Sequence, residues 1–112
     1  MREIAVEQII RVVAELCRES NINLGTDIES GLEKALTKEE SPVGLECLRG
    51  LIANAKIARS EGIPICQDTG MAVVFVEYGQ EIIIRGGGFQ EAINEGVRRG
   101  YIEGYLRKSV VA

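Results

Sequence analysis

The chain has no histidine, no tryptophan, two prolines and only 4% aromatic residues among its 112. Without histidine, a Ser-His-Asp triad, a His-ligated zinc and an imidazole general base cannot be assembled from this chain alone. Its three cysteines, Cys17, Cys47 and Cys66, stand far apart with no Cys-x-x-Cys pair. That excludes a zinc knuckle and gives no support to a disulfide framework. Lysine and arginine number 13 against 17 acidic residues, a net charge of −4, and no basic cluster is interleaved with aromatics. An electrostatic footprint for nucleic acid is therefore missing. No apolar run reaches the length of a membrane span. The opening Met1-Arg2-Glu3-Ile4-Ala5-Val6-Glu7 is too acidic and too short of apolar residues for a secretory signal, so a soluble, cytoplasmic chain is expected.

What remains is 46% hydrophobic and 27% charged, the profile of a globular domain. No repeat, low-complexity tract or linker divides it, and residues 1–112 are expected to form one domain, with limited room to enclose a pocket. Charged stretches such as Lys34–Glu40 and Arg98-Arg99 read as solvated helix faces. Residues 2–20 place Val6, Ile9, Ile10, Val13, Leu16 and Cys17 at helical spacing. A second helix is expected after Thr26, whose hydroxyl would cap it with Glu29 in capping-box register. Ser41-Pro42 opens a third, carrying Leu45, Leu48, Leu51, Ile52, Ala55 and Ala58 on one face until Gly62-Ile63-Pro64 stops it. Cys17 and Cys47 fit these helix faces as small buried hydrophobes.

After the helices come two strand-like runs, Met71–Tyr78 and Glu81–Arg85, joined by Tyr78-Gly79-Gln80 as a hairpin turn. A last helix follows Gly86-Gly87-Gly88 through Ala92, Ile93, Val97, Tyr101, Tyr105 and Leu106. The fold class is α+β: amino-terminal helices, a β-hairpin or small antiparallel sheet, and a carboxy-terminal helix. Gly86–Gly88 matches no phosphate-binding pattern and reads as an exit from the strand that lets another backbone come near. Gly96, Gly100 and Gly104 recur every four residues. In a helix they form a smooth stripe for a close contact, within the domain or between subunits.

Between the two halves lies Pro64-Ile65-Cys66-Gln67-Asp68-Thr69-Gly70, which crowds a thiol, a carboxamide, a carboxylate and a hydroxyl into four consecutive residues. A plain turn would need only Gly, Asn or Pro, so the loop reads as a site. Cys66 has two readings, buried filler or ligand to a metal or cluster. Asp68-Thr69-Gly70 matches the Asp-Thr-Gly of homodimeric aspartic proteases, where two chains share one proton between paired carboxylates. The roughly 60 residues of helical pattern ahead of it argue against that almost entirely β fold. A lone Asp-Thr-Gly also serves simply to close an Asx turn.

The longer string, with Leu51-Ile52-Ala53-Asn54-Ala55 before it and Asn94-Glu95-Gly96-Val97 and Leu106-Arg107-Lys108-Ser109-Val110-Val111 after it, resembles the amino-terminal part of the iron-sulfur hydro-lyases. These are the class I fumarases and the alpha subunit of L-tartrate dehydratase. The resemblance implies reversible hydration of a dicarboxylate, fumarate to malate or tartrate to oxaloacetate. It implies a [4Fe-4S] cluster held by three thiolates, with one iron left open as a Lewis acid. Cys66 would then be a cluster ligand, Gln67 and Asp68 the substrate-binding and catalytic pair, and Arg107 a two-point contact to a substrate carboxylate. Arg107 also reads as a solvated helix-end charge. The family's other two cluster cysteines and a catalytic histidine come from a region with no counterpart here, and further substrate contacts from a beta unit. The chain is accordingly expected to be one piece of an oligomeric enzyme and inactive alone. A non-catalytic interaction domain on the same scaffold is the alternative.

Overall fold

A computed structural model describes residues 1–109; Val110 and Val111, included in the resemblance, lie outside the described residues. The element order is β1 (Arg2–Ala5), α1 (Val6–Ile22), α2 (Thr26–Lys38), α3 (Pro42–Glu61), β2 (Ile82–Arg85) and α4 (Phe89–Glu103). An α+β chain is what the periodicities predict. None of the described helices is long and apolar enough to cross a membrane. Two compact units emerge, Ser20–Cys66 and the combination of Met1–Glu19 with the chain from Gln67 onward.

In the second of these, β1 and β2 pair in parallel, with Arg2 opposite Ile82 and Ile4 opposite Ile84. This corrects the expected antiparallel hairpin. Residues 71–78 form no strand, although their Val-Val-Phe-Val run is β-prone. Strand propensity is realised only where a partner backbone is within reach, and here β2 takes its partner from the far end of the sequence. The same pairing corrects the first helix, which begins at Val6 because residues 2–5 are drawn into the sheet. Glu3 and Arg85 add an ion pair at 3.1 Å across the two strands. Gly86, at φ 97°, turns β2 toward α4 in a conformation that L side chains rarely adopt, close against Val6.

Helix α4 packs on α1 through its glycine stripe. A Cβ on Gly96 would stand 2.6 Å from Val13 Cβ, and one on Gly100 would stand 2.8 Å from the Ala14 carbonyl oxygen. The stripe therefore serves a contact inside the chain. Val13, Cys17, Tyr101 and Leu106 form the buried cluster, with Ile9, Ile93 and Val97 against it. Cys17 is buried as expected, and burial pushes its thiol up. Surface ion pairs run within α4 and from it to α1. Arg99 reaches Glu7 at 3.5 Å and Glu95 at 2.8 Å, and Arg98 reaches Glu95 at 2.6 Å. Hydrogen bonds from these two guanidinium groups lower Glu95 to about 2.

The Ser20–Cys66 unit is built on α2 and α3. Ser41 caps α3, accepting from the Gly44 amide, with Pro42 in the first turn and Gly62 left-handed at its end, φ 66°. These are the start and stop signals the sequence carries. The Thr26 cap is corrected: Gly25 is the N-cap and makes no side-chain cap bond, while Thr26 is already helical. Glu29 instead pairs with Arg59 across the two helices at 2.9 Å. Ala55 and Ala58 are buried, but Cys47 is exposed rather than buried.

Candidate functional site

The loop after α3 is held at its start from within the helical unit. The Ile65 amide donates to the Asn21 carbonyl at 2.8 Å, and Asn54 Nδ2 donates to the Ile65 carbonyl at 2.7 Å. Both backbone groups of Ile65, the residue before Cys66, are thereby fixed, while the Cys66 thiol stays exposed and outside any disulfide. The filler reading of Cys66 fails on that exposure. An exposed thiol on an anchored loop suits a soft metal or an iron-sulfur centre as one ligand. Among the described residues no three Cys, Asp or Glu side chains gather to hold a metal ion.

The unit beginning at Gln67 brings Asp68 and Arg107 to one place, and the cause is the end of α4. The Leu106 amide reaches back to the Tyr101 carbonyl at 2.9 Å and the Tyr105 amide to the Ile102 carbonyl at 3.3 Å. Tyr105 is left-handed at φ 54°. This is a Schellman ending, with Leu106 returning to the core beside Tyr101. The reversal sets the Arg107 backbone against the loop, where Thr69 Oγ1 donates to its carbonyl at 2.5 Å. The buried Tyr101 fastens the same residue from below, its hydroxyl donating to the Thr69 carbonyl at 3.1 Å.

Asp68 is exposed, and its Oδ1 accepts from the Gly70 amide at 3.0 Å, closing an Asx turn. The Ser109 hydroxyl also donates to this carboxylate, and the Arg107 charge lies near it. Ser109 first, then the Gly70 amide, and more weakly Arg107 hold Asp68 below the usual carboxylate range against a small desolvation effect. The group is thus kept as an anion, able to accept hydrogen bonds. Gln67 and Arg107 are exposed.

Beside this clasp opens a cavity of about 580 Å3, bounded by Gly70, Ile93 and Tyr101, with Gln90, Asn94, Arg98 and Lys108 as its polar wall. Of its two cations, Arg98 is already engaged by Glu95 through Nε and Nη2, so its charge is largely compensated. The sequence reading passed over Gln90, Asn94, Arg98 and Lys108 as sites. The spacing of Gln90, Asn94 and Arg98 at intervals of four on α4 was the available signal for three of them.

The sequence pattern of the fumarate hydratase (fumerase) family matches residues 10–112. The chain belongs to that family. A protein of Methanocaldococcus jannaschii assigned as L(+)-tartrate dehydratase subunit alpha is 40% identical over 108 residues, covering 93% of this chain and 37% of its own length. The anaerobic class I fumarate hydratase of Escherichia coli is 38% identical over 73 residues, covering 65% of this chain and 12% of its own. The aerobic class I enzyme of Salmonella typhimurium is likewise 38% identical over 73 residues. The chain thus spans little more than a third of the first relative and about an eighth of the others. Family membership takes Asp68-Thr69-Gly70 away from the aspartic-protease alternative.

Proposed function

We propose that this chain is the amino-terminal part of an iron-sulfur hydro-lyase that adds or removes water across a carbon-carbon bond of a dicarboxylate, fumarate or tartrate. One observation supports the reading: Thr69 bonds the Arg107 carbonyl and the Arg107 charge acts on the neighbouring Asp68 carboxylate, and Asp68 and Arg107 are two of the residues that the family resemblance nominates. Cys66 supplies one thiolate to a [4Fe-4S] cluster, which when bound offers an open iron as Lewis acid to the substrate's carboxylate and hydroxyl.

The chain's own residues bind and orient. The Gln67 carboxamide donates to a substrate carboxylate, and the Arg107 guanidinium grips a carboxylate by two parallel hydrogen bonds. Asp68, held ionised, accepts a hydrogen bond from the substrate hydroxyl or from the group that moves the α-proton. A carboxylate held so acidic is a weak base, which favours positioning over proton storage. The remaining cluster ligands, the proton-transferring group and the rest of the substrate contacts come from the missing alpha region and a beta partner. The exposed apolar surface of the chain would also serve the second reading, an interaction domain without chemistry.

Both readings are separated by assembling the protein. The 112-residue chain, alone and co-expressed with the remainder of the Methanocaldococcus alpha subunit and a matching beta subunit, is purified without oxygen and assayed on fumarate, malate and tartrate. Turnover by the assembly and none by the chain alone is the expected result. A stable assembly that turns over none of the three contradicts the hydro-lyase reading, and turnover by the isolated chain contradicts the reading of it as an incomplete part.

A further inference from the structure

An open apolar groove lies away from Asp68. Ile9, Val12 and Leu16 of α1 face Val74–Val76 across a groove of about 370 Å3 closed by Phe89 and Ile93. Its walls are open to solvent: Phe75 is 92% exposed, Leu16 57% and Val12 48%. Burying such side chains is favourable, and monomeric proteins rarely leave a contiguous apolar face uncovered. Next to it stand a parallel sheet of two strands among the described residues and the β-prone residues 71–78, which belong to no ladder. Parallel sheets are ordinarily larger and covered on both faces, so backbone and side chains alike await an additional strand.

We infer that this groove seats an apolar β-strand from the polypeptide that the tartrate dehydratase relative carries outside its match, pairing with the backbone of 72–77. The inference rests on the reading of the chain as one part of a larger hydro-lyase. Only 37% of that relative is matched, which leaves most of the polypeptide to pack against the matched part. Interior faces are apolar and complete their sheets. Strand addition to an exposed backbone uses main-chain hydrogen bonds for affinity and apolar pockets for register.

The test mixes the full 112-residue chain with the unmatched portion of the Methanocaldococcus jannaschii subunit, produced as a separate polypeptide. Association is followed by calorimetry and by hydrogen exchange of the 72–77 amides. A one-to-one complex is expected, with those amides protected on binding. Phe75→Asp and Leu16→Asp should each weaken it about 100-fold, the scale of a central anchor, while Ile28→Asp on α2 should not. Both groove residues are exposed, so the variants keep their fold, which circular dichroism checks. The inference is overturned by no association, by association indifferent to both groove variants, or by self-association of the chain that Phe75→Asp abolishes, which would give the groove to a second copy. A complex that is groove-dependent but inactive supports the docking surface while sinking the hydro-lyase reading. An active assembly indifferent to Phe75→Asp does the reverse.

Discussion

Asp68→Asn, in the enzyme assembled from this chain and its missing segments, is expected to lower turnover about 10²–10⁴-fold, the range for loss of a positioned acid-base or accepting group. Asparagine closes the same Asx turn, so the loop should survive and the loss should fall on turnover, not on stability. What disappears is the negative charge that Ser109, the Gly70 amide and Arg107 stabilise. The pH dependence follows from that stabilisation. With its acidity increased in the folded protein, Asp68 stays ionised until the pH drops below the ordinary carboxylate value near 4. Any acid limb due to this group therefore lies below that value. Its contribution to folding has the same sign: present above the unfolded pKa, lost as the pH falls through the lower folded one. Ser109→Ala removes the largest cause and should move the acid limb upward. A pH-rate profile of the three proteins checks this; wild-type rates from Asp68→Asn would reduce Asp68 to a turn former.

The second large effect is on stability. Gly100→Ala sets a methyl group 2.8 Å from the Ala14 carbonyl oxygen and 2.9 Å from Cys17 Cβ. Backbone cannot step aside as a side chain does, so overpacking costs about 3 kcal/mol, the upper end of its usual range. Helix propensity returns about 1 kcal/mol. A net loss of about 2 kcal/mol is expected, a large share of the 5–15 kcal/mol that holds a typical domain folded. Gly50→Ala in α3, where nothing lies within 4 Å of the added carbon, keeps only the propensity gain and should stabilise the chain. Urea midpoints at unchanged slope give both numbers. A Gly100→Ala protein as stable as the parent would mean that α1 and α4 do not approach as closely as described.

The helices were legible because their signals are local. Ser41-Pro42 and Gly62 delimit α3 by capping chemistry that needs no distant partner, and the apolar spacing of α1 and α4 names the faces that meet. The glycine stripe announced a close contact, and only the structure could assign it to α1. The sheet was not legible. Residues 2–5 continue a helical periodicity, and their pairing with 82–85 is decided by contacts some 80 residues apart. Residues 71–78 show the opposite error, since a β-prone run says nothing about whether a partner strand is within reach. Cys47 and Cys66 look alike to a burial rule, and both are exposed.

The candidate site was legible as a list of residue types but not as a place. Nothing in the sequence shows that Tyr105 takes a left-handed conformation, because glycine is the usual residue there. Yet this turn is what returns Leu106 to the core and sets Arg107 against Thr69. The polar wall of Gln90, Asn94, Arg98 and Lys108 was hidden for a related reason: amides and cations on an amphipathic helix are what any solvated face contains.

The central claim is that Cys66 is one of the thiolates holding an iron-sulfur cluster in the completed enzyme. The direct measurement is iron and sulfide bound per assembled complex after anaerobic reconstitution, with Cys66→Ser beside the parent. Four irons per site in the parent, with most of that iron and the visible absorbance lost in Cys66→Ser while the subunits still associate, is the predicted result. A full cluster retained in Cys66→Ser would contradict the account.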